Sequence, residues 1–258
     1  MSVTNKQIDT NNLRELPPIL REMRFTAMAR KLEEVLEDPS SNLYAVSDEL
    51  VDLILSEYNS RCTNKINKYI KKATLKIPGA DLEDMYEEGK YNRQLNMNLL
   101  NELKTCNWIS KKNNLIITGP SGTGKTWIAC ALAICACEKF MKVRFYSTSK
   151  LILEMKTLEP NAYLERLQEI QKLDLLILDD IGYIPYDLES CRIFFEILDT
   201  RYMVGSTMLV SNFTTSEWYD LFTDHSYGEA TLSRIVEKAF RLPITGEDLR
   251  QKQEMSDD

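Results

Sequence analysis

The stretch "GPSGTGKT", Gly119 to Thr126, limits what this chain can fold into more than any other feature, because of what flanks it. The apolar "NLIIT" precedes it and the small, apolar "WIACALAICACEKF" follows. A strand that passes through a glycine-rich turn into a helix belongs to a parallel sheet covered by helices. From Asn113 onward the alternation continues through "VRFYST", "SKLILEMKT", "LDLLILDD", "ESCRIFFEILDTRY" and "TMLVSN", the pattern of right-handed βαβ units. The expected fold is α/β, a P-loop parallel sheet flanked by helices, joined to a smaller all-helical N-terminal domain.

That helical domain is expected over residues 1–106. "LREMRFTAMARKLEEVLED" carries an apolar stripe of helical period and stops at Pro39, and "NLYAVSDELVDLILSEYNSR" resumes it. "IPGADLED" breaks the pattern, and a shorter helix, "RQLNMNLLNELKT", leads to the sheet. The α/β domain is expected over 107–250, followed by a disordered polar tail, 251–258.

The loop is built for anions. Gly119, Pro120, Ser121, Gly122, Thr123 and Gly124 let backbone N–H groups curl around a triphosphate, and the helix starting near Lys125, with Trp127 in its first turn, points its positive end at the same charge. Lys125 is expected to reach the β and γ phosphates of ATP, and the Thr126 hydroxyl to ligate Mg2+. "LLILDD", Leu175 to Asp180, then gains a purpose. Alone, two acids after a buried strand read equally well as solvated turn residues; beside a P-loop, Asp179 becomes the acid that holds magnesium, directly or through water, and Asp180 a general base for water. "TMLVSN" ends in Asn212, whose amide either orients that water or caps a helix at "TTSEWYDLF". Arg234, in the expected helix "ATLSRIVEKAF", is either a surface residue or a cation delivered to a neighbouring subunit's transition state.

Composition excludes several alternatives. No apolar run approaches the roughly 18 residues of a membrane span, and the polar "MSVTNKQIDTNN" is no signal peptide, so a cytoplasmic protein without a membrane partner is expected. Six cysteines with no CxxC pair and a single histidine argue against zinc. Cys130, Cys135 and Cys137 read as reduced core thiols, and His225, in the loop-like "TDHSYG", has no assigned role. The net charge of −7 disfavours general coating of nucleic acid. Against it stands "RCTNKINKYIKKATLK", with six basic residues and no acid, either a solvated helix face or a phosphate-binding surface carried by Lys65, Lys68, Lys71 and Lys72.

The order of "GPSGTGKT", "LLILDD", "LVSN" and "LSRIVE" resembles the AAA+ ATPases of the DnaA and DnaC clade, and within it the IstB-like helpers of insertion-sequence transposition. The likeness runs nearly the full chain, through "LREMRFTAMARKLEEVLEDP", "LLNELKTCNWISKKNNLIITGPSGTGKT" and "FRLPITGEDLRQK". The resemblance implies that Asn212 is sensor 1 and that Arg234 is an arginine finger acting in trans within a homo-oligomer. It further implies ATP-dependent assembly on duplex DNA, remodelling of that DNA, recruitment or stimulation of a partner transposase, and a reset by ATP hydrolysis. Lys150 and Lys156 fall where related initiators touch DNA. Two departures qualify the likeness. Asp180 stands where many AAA+ relatives carry Glu, so slow hydrolysis is expected. Twenty-four residues follow Arg234, too few for a helical lid, so Arg250 is the candidate substitute for a lid arginine. Three other readings remain open: a DnaC-like helicase loader, a small-molecule P-loop kinase and a non-hydrolysing, nucleotide-gated DNA scaffold.

Overall fold

A computed structural model of the protein describes residues 13–37, 48–85, 93–183 and 185–248. Pro39, Arg250 and the tail 251–258 lie outside them. Contacts divide the chain into two compact units, Met1–Lys68 and Tyr69–Asp258.

The first unit packs α1 (Leu16–Glu22) and α2 (Thr26–Glu37) with the first part of α3 (Asp48–Ala73) around Leu16, Ile19, Leu20, Met23, Ala29, Val51 and Ile54. The sequence reads as one helix where the structure has two. Arg24 takes a left-handed conformation, φ 66°. Phe25 N donates to Leu20 O and Arg24 N to Arg21 O, which closes α1 as a Schellman turn. That position normally calls for glycine, so nothing in "REMRFTAM" announces the break. Arg61, from the basic run, is consumed here: its guanidinium donates to Met23 O at 2.8 Å and lies 4.9 Å over the Phe25 ring.

The second unit contains β1 (Arg93–Gln94), α4 (Met97–Lys104), α5 (Asn107–Ser110), β2 (Asn114–Thr118), α6 (Lys125–Glu138), β3 (Val143–Ser147), α7 (Thr148–Lys156), α8 (Pro160–Gln171), β4 (Leu175–Ile181), α9 (Leu188–Asp199), β5 (Ser206–Ser211), α10 (His225–Val236), β6 (Ala239–Pro243) and β7 (Thr245–Gly246). The five longer strands form one parallel sheet in the order β3-β4-β5-β2-β6, and β1 pairs with β7 antiparallel. Successive residues of β4 face opposite cores: Leu175 and Ile177 pack toward α6, Leu176 and Leu178 toward α7 and α9. A strand buried on both faces needs an unbroken apolar run, which is why "LLIL" does not alternate.

The division at 68/69 replaces the expected boundary at 106, and described residues between the two positions belong to the core of the second unit. The reason lies in α6. Ile128 through Ala133, Ala136 and Cys137 are all buried, so the helix is apolar around its girth and one sheet face cannot cover it. Ala73, Ala80, Leu82, Leu100 and Leu103 complete the cover, and Trp127 Nε1 donates to Asp81 O at 3.0 Å on the same side.

Three further differences concern the C-terminal half. "PNAYLERLQEIQ" forms α8, with Pro160 in its first turn. His225 opens α10, capped by Asp224, rather than sitting in a loop. The helix carrying Arg234 ends at Val236, and Ala239–Pro243 becomes an edge strand beside β2, where a terminal proline is tolerated. Among the described residues no helix is long and apolar enough to cross a membrane.

Candidate nucleotide-binding site

β2 ends at Thr118, and the loop turns over Gly119 to Gly124 before α6 begins at Lys125. Gly119 has no room for a side chain, since a Cβ would lie 2.1 Å from Ile244 O. That carbonyl belongs to the segment after β6, tied back by Ile244 N donating to Thr118 O at 2.8 Å. Gly122, φ 78°, is covered by Asp248, whose carboxylate oxygen would sit 1.9 Å from an added Cβ. Lys125 is largely buried, and its ammonium donates to Pro120 O at 2.6 Å; Thr123 Oγ1 donates to the same carbonyl at 2.9 Å. Ser121 stands exposed at the loop's crest. Trp127, anchored to Asp81, braces α6 from outside.

β4 brings Asp179 to the loop. Thr126 Oγ1 donates to Asp179 Oδ2 at 3.0 Å, and Thr148 Oγ1 holds the Asp179 carbonyl at 2.8 Å. Asp179 is 1% exposed, and burial, aided by the charge of Asp180, pushes its carboxyl above the ordinary range while Lys76 and Thr126 oppose the shift. Asp180 adopts φ 61°, where pairing with β5 shifts register between Leu178 and Ile181. This twist turns consecutive acids apart, one into the sheet edge and one toward solvent.

Lys76 escaped the sequence reading as an individual residue. Its ammonium lies 3.4 Å from Asp179 Oδ2 and 3.4 Å from Asp180 Oδ2. Burial works against its charge, but the two carboxylates outweigh that and raise its pKa. It belongs to the basic run, 103 residues before Asp179, and only folding of the segment after α3 onto α6 joins them.

Asn212 follows β5 immediately and is exposed. Ser211 is in register with Thr118 and Ile181, so Asn212 stands between the P-loop and the acidic strand end. It does not cap the next turn: Glu217–Leu221 is a short 3-10 turn preceded by Ser216, and Glu217 takes the Thr214 N–H and hydroxyl.

Arg234 is remote from its own loop. Its Nε donates to Asp199 Oδ1 at 2.5 Å, and its guanidinium lies 4.6 Å over the Phe195 ring. Asn114 Nδ2 donates to the Arg234 carbonyl at 3.4 Å, at the start of β2. The P-loop leaves the other end of that strand, about 13 Å further along.

Lys65, Lys68, Lys71 and Lys72 are all exposed on α3, and Lys150 is exposed on α7. Lys156 is committed instead to Asp187, with its ammonium 2.8 Å from both carboxylate oxygens. That pairing, with the Ser190 N–H bond, holds the Asp187 carboxyl well below the usual range.

The residues present fit a magnesium nucleotide. A buried carboxylate and a hydroxyl already share one oxygen contact, a second acid follows, and a glycine-rich loop holds a buried lysine. The parallel order β3-β4-β5-β2-β6, with this loop after β2, defines a P-loop protein of AAA+ type. The solved structures agree in fold. The DnaC helicase loader aligns with TM-score 0.52 at 22% identity, over 64% of this chain and 96% of that one. AMPPCP-bound DnaA from Aquifex aeolicus aligns with TM-score 0.51 at 22% identity, over 66% and 51%.

Sequence comparison makes the assignment narrower. Residues 19–257 match the family described as IstB-like ATP binding protein, and the chain belongs to that family. A putative insertion sequence ATP-binding protein of Sinorhizobium fredii is 31% identical, covering 91% of this chain and 95% of that one. The Insertion sequence IS21 putative ATP-binding protein of Pseudomonas aeruginosa is 28% identical over 93% and 90%.

Proposed function

We propose that this protein is an ATP-dependent helper of insertion-sequence transposition, which assembles on duplex DNA and recruits or stimulates the transposase of the same element, in the cytoplasm. ATP with Mg2+ is held by the P-loop, Lys125, Thr126 and Asp179, and bound magnesium supplies charge neutralisation at the phosphates. Asp180 takes a proton from the attacking water, and Asn212 orients that water. Arg234 completes the site of the adjoining copy.

The observation that carries this reading is the separation within one chain. Thr126 and Asp179 meet at one end of the sheet, while Arg234 is anchored at the other, roughly the length of β2 away. An arginine held there serves a neighbour or serves nothing in the reaction. The exposed lysines of α3 supply sequence-independent phosphate contacts. Lys156, occupied by Asp187, is left out of that set.

A helicase-loader role shares the ATPase fold, and the likeness to DnaC covers 64% of the chain. The insertion-sequence relatives extend over the N-terminal unit as well, with the Bacillus thuringiensis subsp. berliner IS232 protein matching 95% of this chain and 98% of its own length. That extent favours transposition.

ATPase turnover measured together with particle size, with and without duplex DNA, tests the proposal. Turnover and size should rise together only when ATP, magnesium and DNA are all present, and replacing Lys65, Lys68, Lys71 and Lys72 by Ala should flatten the salt dependence of DNA binding by up to about four counterions. Turnover indifferent to DNA, from a monomer, would refute it.

A further inference from the structure

We propose that Lys76 is an internal cation that competes with magnesium for the acidic end of β4 and so sets the metal concentration at which nucleotide binds; this rests on the nucleotide reading above. The Thr126 hydroxyl and the Lys76 ammonium converge on the same atom, Asp179 Oδ2, at 3.0 and 3.4 Å. A metal ligated by Thr126 and Asp179 needs that oxygen. Two cations crowded onto one oxygen repel each other, so a bound metal drives the ammonium off it.

The exchange is a side-chain movement. Around Lys76 the backbone is fixed: Thr74 Oγ1 donates to Phe145 O at 3.3 Å, and Arg144 Nη1 donates to Lys72 O at 2.6 Å. Leu75 and Ile77, on either side, pack against the core. The Lys76 side chain itself is 54% exposed, so it swings into water without opening a cavity. Asp180, 42% exposed, keeps an ammonium within reach after the exchange, whereas Asp179, 2% exposed, keeps only the metal. Lysine suits this role because its charge is compact and its stem flexible, while its hold on a half-exposed pair is weak enough to be broken.

The test is binding of a fluorescent, non-hydrolysable ATP analogue at fixed concentration while magnesium is titrated. Lys76→Met should reach half-saturation at about five-fold lower magnesium, the scale of a half-exposed ion pair, and Lys76→Arg, whose planar fork holds two carboxylates more firmly, should need at least as much magnesium as wild type. In EDTA the two variants and wild type should bind the analogue alike. Melting curves without magnesium check that Lys76→Met is folded. An unchanged or higher magnesium requirement in a folded Lys76→Met protein overturns the inference and leaves the nucleotide site standing. No binding of the analogue by wild type at any magnesium concentration overturns both.

Discussion

Thr126 Oγ1 and Asp179 Oδ2 are joined at 3.0 Å across the width of β5, which separates their two strands in the sheet. A hydroxyl at the start of α6 and a carboxylate at the end of β4 meet only because parallel strands all finish at one edge. The strand order therefore brings together the two groups proposed to hold magnesium.

Breaking that pair should cost metal-dependent affinity specifically. Thr126→Val is expected to weaken ATP binding on the order of 10- to 100-fold in magnesium, with little change in EDTA. Calorimetric titration in the two buffers distinguishes this from a general loss of the loop, which Lys125→Ala should produce in both.

Asp180 sits at φ 61°, a left-handed conformation that costs most side chains about 1–2 kcal/mol and that Asp and Asn adopt more readily than Glu. The backbone thus favours the shorter acid that is expected to slow hydrolysis. Asp180→Asn should keep its melting temperature and ATP affinity and lose at least about 100-fold in turnover. Asp180→Glu should melt lower and hydrolyse no faster, as differential scanning fluorimetry and phosphate release will show.

The buried thiols predict an alkaline limit. Burial pushes Cys106 up to about 11 and Cys135 and Cys137 up to about 12, against an ordinary value of 9.0. A raised folded-state pKa means that the unfolded chain loses these protons first as pH rises. Their contribution is complete below pH 9.0 and declines toward pH 12. Chemical denaturation should show stability falling across that window, less steeply in a Cys135→Ala, Cys137→Ala protein. At neutral pH a charged thiol reagent should leave the buried Cys106 and Cys137 unmodified until denaturant is added.

The sheet was legible in the sequence because a strand buried on both faces and a glycine-rich turn each leave a local signature. "LLILDD" and "GPSGTGKT" lie where those signatures placed them. The α1–α2 break was hidden because Arg24 occupies a position that glycine usually marks. The boundary at 68/69 was hidden because the need to cover α6 is a property of the folded helix, not of residues 69–106. Lys76 could not be singled out from its run, since its partners are 103 and 104 residues away. Arg234 was singled out by its resemblance to a family motif, but its distance from its own loop emerged only from Asn114 holding its carbonyl.

The measurement that reaches the central claim most directly mixes two dead proteins. Arg234→Ala retains Asp180, and Asp180→Asn retains Arg234; each alone should bind ATP and fail to turn over. Mixed equally on duplex DNA, random assembly through a heterologous interface places both intact groups at about a quarter of the sites, and ATPase activity should return to about that fraction of wild type. A mixture as inactive as its components would mean that the two residues serve the same chain, and would contradict the account.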